Sequence, residues 1–197
     1  MRKVILYIMI PIILLLNSGE LSGAEINDVY FEDTITEGNE VLRLRGAGLL
    51  KWLFFKVYVA ALYVPEEVSN GDVLEDKPKK MVFHYLADMT SEQFAESGEK
   101  LLEKNASQDE LSQIKGKLEK IHDMYRDVKK GGRYSLTYFP GKGTELALND
   151  EVLGVIEGYD FASIYYRIWL GENPVSENLK YALLNNGEKW EGEGMEM

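Results

Sequence analysis

Six tyrosines of this chain, Tyr58, Tyr63, Tyr85, Tyr138, Tyr165 and Tyr166, sit inside apolar segments. A buried phenol needs a hydrogen-bond partner. Several of them converging on one cleft would make an amphipathic pocket, apolar with a few polar anchors; the plainer alternative is a tyrosine-rich core. Other chemistry is thinner. His84 and His122 are the only histidines, 38 residues apart with no His-x-x-x-His pair; Glu119 stands three residues before His122, but two donors do not make a site, so no metal site is expected. Cysteine is absent and no serine sits in Gly-x-Ser-x-Gly, which leaves no nucleophile triad. Gly46-Ala47-Gly48-Leu49-Leu50-Lys51 has the look of a phosphate loop. A strand, not a helix, follows it, so no helix N-terminus faces a phosphate and the glycines are expected to break the chain as a turn or bulge. The acidic pairs Glu66-Glu67, Asp109-Glu110 and Asp150-Glu151 fall at turns and caps and read as solvated surface.

The elements that must position these groups are preceded by an export signature. Arg2 and Lys3 lead into the apolar stretch Val4–Leu16, and Ser22-Gly23-Ala24 supplies small residues before a cut after Ala24. The apolar stretch is shorter than the ~20 residues of a membrane span. Residues 1–24 are thus expected to be a signal peptide, and the mature protein to be periplasmic or extracellular, with no integral span. Cleavage would leave 20 Lys+Arg against 32 Asp+Glu, a net charge of −12. That balance argues against nucleic acid and anionic lipid surfaces, which need a basic footprint. No cofactor is indicated.

Further along, Gly38-Asn39 marks a turn before EVLRLR, where Leu42 and Leu44 alternate with arginines. Trp52–Val64 reads as one long strand, apolar enough to be covered on both faces, and closed by Pro65. Lys80–Ala87 is another. Thr90-x-x-Gln93 and Ser107-x-x-Glu110 look like capping boxes opening two helices, the second with Leu111, Ile114, Leu118 and Ile121 on one face. Three short strands follow, with Asn149-Asp150 between the last two. Asp160 is expected to cap a helix striped by Phe161, Ile164, Tyr165, Ile168 and Trp169 and ended by Gly171; a last helix, ENLKYALL, begins after Ser176. The tail 187–197 has no periodicity and is expected to be disordered. Strands, helices, strands, helices is α+β order, with a mainly antiparallel sheet backed by helices on one face.

The run Gly-x-Gly followed by Lys56-Val-Tyr-Val-Ala-Ala-Leu-Tyr-Val64 resembles the chalcone isomerase-like proteins of bacteria. The resemblance extends to the Phe-Pro-Gly turn at 139–141, the Gly-x-Ile-x-Gly strand at 154–158 and the closing helix with Trp169-Leu-Gly-Glu. It covers residues 25–186 as one domain and implies an open-faced β-sandwich with a ligand cleft between sheet and helices. In that superfamily the plant enzymes cyclise a chalcone. The resemblance places their arginine at Leu50, with Lys51 beside it, and their strand threonine at Tyr58. The tyrosine opening the first middle helix matches Phe94, the asparagine two turns on matches Leu101, and the threonine of the late helix matches Ile168. Leu, Phe and Ile cannot stabilise an oxyanion, and losing one such donor typically costs ~10²–10³ in rate. The fatty-acid-binding members use the same arginine and tyrosine, so an anchor for a ligand head must come from elsewhere: Arg45, Lys51, Tyr58 or Arg167.

Three readings follow. The first is a non-catalytic exported protein holding a hydrophobic or amphipathic, fatty-acid-like small molecule at Leu50, Lys51, Tyr58, Phe94, Leu101 and Ile168. The second is an isomerase or intramolecular lyase with relocated polar groups. The third is an envelope module binding a protein partner through its acidic surface or the Leu111/Ile114/Leu118 helix face.

Overall fold

The computed structural model describes residues 23–185. The expected leader up to residue 22 and the expected tail lie outside the described residues. The centre of the fold is a seven-stranded sheet in which every neighbour is antiparallel and the spatial order is the chain order. Its strands are β3 (Thr34–Glu37), β4 (Glu40–Trp52), β5 (Phe55–Val64), β6 (Lys79–Tyr85), β7 (Arg133–Phe139), β8 (Gly143–Leu148) and β9 (Glu151–Ile156). A separate hairpin, β1 (Gly23–Ile26) and β2 (Val29–Glu32), precedes them. Thus β1 starts two residues before the expected mature N-terminus. The helices are α1 (Ser91–Asn105), α2 (Gln108–Met124), α3 (Tyr159–Tyr165), α4 (Arg167–Leu170) and α5 (Glu177–Leu184). None of the described helices is long and apolar enough to cross a membrane.

Period-two alternation along β5 and β6 explains how one sheet carries two cores. Tyr58, Ala60, Leu62 and Val64, with Met81, Phe83 and Tyr85, point toward the helices and join the larger core. Val59, Ala61 and Tyr63, with Val82, point the other way and are covered by Val29 and Phe31 of β2. That double coverage is why β5 is almost continuously apolar. Both capping boxes form: Thr90 with Gln93 opens α1, and Ser107 with Glu110 opens α2.

Four expectations need correction. The glycines at 46 and 48 do not end the strand as a turn; of the two expected forms it is the bulge that occurs. β4 runs through them with a bulge between Leu44 and Gly46, and Gly48 is a seat for α5. A Cβ there would stand 2.8 Å from the Ala182 Cβ and 3.0 Å from the Leu179 Cδ1. The long strand does not begin at Trp52, because Trp52 faces Phe55 across a two-residue turn, Leu53-Phe54. Asp160 is not a cap: Gly158, with φ +95°, precedes α3, and Asp160 takes a salt bridge from Lys117 at 2.6 Å. Finally, the α2 stripe is not a docking face. Ile114 and Ile121 are fully buried, with Leu111 and Leu118 packed against the same core.

Candidate functional site

On the helix side of the sheet the sequence places rings at inward positions of three strands, and the helices add more from above. The result is one connected network of nine rings: Tyr58, Phe83, Tyr85, Phe94, Tyr125, Tyr134, Phe161, Tyr165 and Trp169. Phe94 stacks on Tyr125 at 4.8 Å between centroids and meets Tyr85 and Tyr134 edge-on. Tyr58 packs edge-on against Phe83 and Tyr85 at 5.3 and 5.4 Å. Such separations are van der Waals contact geometry for rings, so side chains fill the space in which a cleft was expected.

Most hydroxyls of this layer bond to one another, to the Trp169 indole or to the backbone. Trp169 donates its Nε1–H to Tyr58 Oη at 3.0 Å, and Tyr125 and Tyr165 share a hydrogen bond at 2.7 Å. Tyr134 donates to the Arg126 carbonyl and accepts from the Arg126 N–H; Tyr166 donates to the Leu136 carbonyl. Burial pushes Tyr58, Tyr85, Tyr125, Tyr165 and Tyr166 well above the ordinary phenol range, so all five stay neutral and acid–base inert near neutral pH. At the far end of this face Lys79 is buried with its Nζ on the Glu75 carbonyl and above the Tyr138 ring. Burial lowers it to about 8, while Asp76 and Glu75 pull the other way.

The expected site residues divide accordingly. Leu50, Tyr58, Phe94 and Ile168 come together in this core, with Leu101 half-buried against it. The cationic candidates do not join them. Lys51 is exposed at the base of the β4–β5 turn. Arg45 donates to the Val68 carbonyl and lines a small polar cleft of about 170 Å³. Arg167 braces helices, donating to the Ser163 and Asn105 carbonyls and to Glu110 at 3.0 Å, beside a polar hollow of about 420 Å³.

The opposite face holds what the sequence reading missed. Between β2, β3 and the outward side of β5, β6 and β7 lies a cavity of about 360 Å³. Phe31, Ile35, Tyr63 and Val82 give it an apolar patch; three carboxylates, Glu32, Glu37 and Asp150, two cations, Lys80 and Arg133, and Ser135 make the rest of its lining polar. Lys80 is paired with Glu37. The Arg133 guanidinium lies 5.5 Å from the Phe31 ring centroid and reaches the Tyr30 carbonyl at 3.5 Å. It also depresses the ionisation of its cross-strand neighbour His84, whose pKa falls below the usual imidazole range mainly through burial. Tyr63 donates to the Glu32 carbonyl at 3.0 Å, and burial raises it to about 12. The outward alternation of Tyr63, Val82 and His84 was the available signal; the hairpin that roofs these residues had none. An apolar patch with charged groups at the rim can hold an amphipathic molecule of modest size.

A family model described as chalcone isomerase-like matches residues 23–185. No curated protein matches the chain. Among solved structures, the crystal structure of a fatty-acid binding protein of Arabidopsis thaliana superposes with a TM-score of 0.63 at 16% identity, covering 80% of this chain and 92% of that one. At that identity the likeness is one of fold.

Proposed function

The chain belongs to the chalcone isomerase-like family, and from that premise we propose that it is a non-catalytic binding protein for an amphipathic, fatty-acid-like small molecule. The observation that carries this reading is the contrast between the faces of the sheet: rings bonded to one another fill the space directly between sheet and helices, while the hairpin side holds a cavity of about 360 Å³ with an apolar patch and a charged rim. The ligand's chain lies against Phe31, Ile35, Tyr63 and Val82, and its head meets Arg133 and Lys80. The fatty-acid binding of the Arabidopsis protein, a property of that protein, agrees with this ligand class. The N-terminal signature supports export from the cytoplasm, which cell fractionation and the mass of the mature N-terminus test. Native mass spectrometry after mild purification, with thermal shifts over a series of fatty acids, tests the ligand. A co-purifying amphiphile, or a Tm rise that Arg133→Ala weakens about tenfold in ligand concentration, is the expected result. No bound species and no shift with any amphiphile contradict the reading.

A further inference from the structure

The most exposed apolar residues of the described chain are consecutive. Trp52, Leu53, Phe54 and Phe55 are 70%, 77%, 96% and 70% exposed, and together they form the tip of the β4–β5 hairpin. Their combined exposed area is roughly 600 Å², taking large side chains at 150–250 Å² each. A patch of this size on a monomer is generally functional.

The backbone adds a second observation. Leu53 has φ +53°, a left-handed conformation that a bulky side chain rarely adopts. Every other non-glycine left-handed position among the described residues is Asn or Asp: Asn27-Asp28 between β1 and β2, and Asn149-Asp150 between β8 and β9. Those turns use the residues such a geometry favours. The tip keeps an apolar pair in spite of strain. The third observation is charge. Lys51 and Lys56 face each other across the hairpin directly behind the tip. Like charges at directly opposed positions disfavour the pairing, and only Lys56 is tied, to the Asn27 side chain.

We propose that this tip inserts into the interfacial layer of a lipid bilayer, with Leu53 and Phe54 among the upper acyl chains. Trp52 sits at headgroup depth, where tryptophan partitions, and Lys51 and Lys56 extend their ammonium groups to lipid phosphates. A second copy fits the surface less well: ~800 Å² per partner is usual for a stable interface, more than this narrow tip exposes. Two lysines behind each tip would also repel. The net negative charge of the chain holds the rest of the surface away from an anionic leaflet, so contact is confined to the tip. The insertion stands independently of any ligand in the outer cavity.

The test uses the full chain and vesicles of phosphatidylcholine with a minor share of phosphatidylglycerol. Because the apolar N-terminal stretch can bind vesicles itself, the readout is local: the emission of Trp52, isolated as the difference between the wild type and Trp52→Phe. On adding vesicles this difference emission is expected to shift to the blue and to be quenched by lipids brominated near the headgroup end of the acyl chain. Phe54→Asp, at a side chain open to solvent, is expected to abolish both changes with an unaltered circular dichroism spectrum. Lys51→Glu with Lys56→Glu is expected to weaken them several-fold, more at low salt than at high. A Trp52 emission that stays red and unquenched overturns the proposal. So does one already blue without vesicles, which means that another copy or the chain's own N-terminal stretch covers the tip. Quenching that persists unchanged in Phe54→Asp overturns it as well.

Discussion

The helix-covered and hairpin-covered faces of the same sheet are built from alternate residues of the same strands, and they have opposite properties. On the helix side, Phe83 and Tyr85 meet rings from α4 and α1, Tyr58 packs on both of them, and the hydroxyls and the indole N–H there bond mainly to one another or to carbonyls. On the hairpin side, Tyr63, Val82 and Arg133 are only partly roofed by β2, leaving a cavity beneath it. The first face spends its aromatic surface on stability. The second has apolar area and charge left over.

The comparison can be broken most forcefully on the sealed side. Phe94→Ala removes a ring that touches Tyr85, Tyr125 and Tyr134 and is expected to cost about 3–5 kcal/mol in denaturant unfolding. Arg133→Ala, across the sheet, is expected to stay within ~0.5 kcal/mol. Equal costs would erase the distinction. Gly48→Ala, which drives a methyl into Ala182, is expected to cost about 1–3 kcal/mol by loosening α5. Tyr58→Phe leaves the buried Trp169 N–H without its acceptor, worth about 1–3 kcal/mol, with no effect on fatty-acid binding. Smaller and of opposite sign is the hairpin tip: of its two turn residues only Leu53 has a positive φ, so replacing Leu53-Phe54 by Gly-Asn is expected to stabilise the fold by about 1 kcal/mol while removing the apolar tip.

Lys79 sharpens the comparison through pH. Its folded value of about 8 lies below the ordinary 10.5. Between the two the unfolded chain binds more protons, so this residue makes stability rise as pH goes from ~8 to ~10 and adds no slope below that window. Above it the tyrosines, raised by burial, act in the opposite direction. Tm measured across pH 8–10 should climb in the wild type relative to Lys79→Met; parallel profiles would mean that Lys79 is not titrating there.

Much of the architecture was legible because it is written in periodicity. Alternation of leucine with arginine marked the start of β4, an unbroken aromatic and β-branched run marked β5, and the paired cap residues marked α1 and α2. The β4–β5 turn was not legible, since Leu53-Phe54 contains none of the residues that signal a turn. Nor was the role of Gly48, whose missing Cβ matters only once α5 is in place. In the site, the proximity of Leu50, Tyr58, Phe94 and Ile168 was foreseen, and their closure by Trp169, Tyr125 and Tyr134 was not. Local sequence says which way a side chain points along a strand. It does not say how tightly distant elements shut over it, and the outer cavity depends on β2, a strand paired with none of the seven it covers.

The most direct test of the account is to map a saturated fatty acid onto the folded protein by amide chemical-shift perturbation. The account predicts shifts concentrated at Phe31, Tyr63, Val82 and Arg133, with a chalcone neither consumed nor perturbing the helix side. Shifts centred on Phe94, Leu101 and Ile168, or turnover of the chalcone, would contradict it.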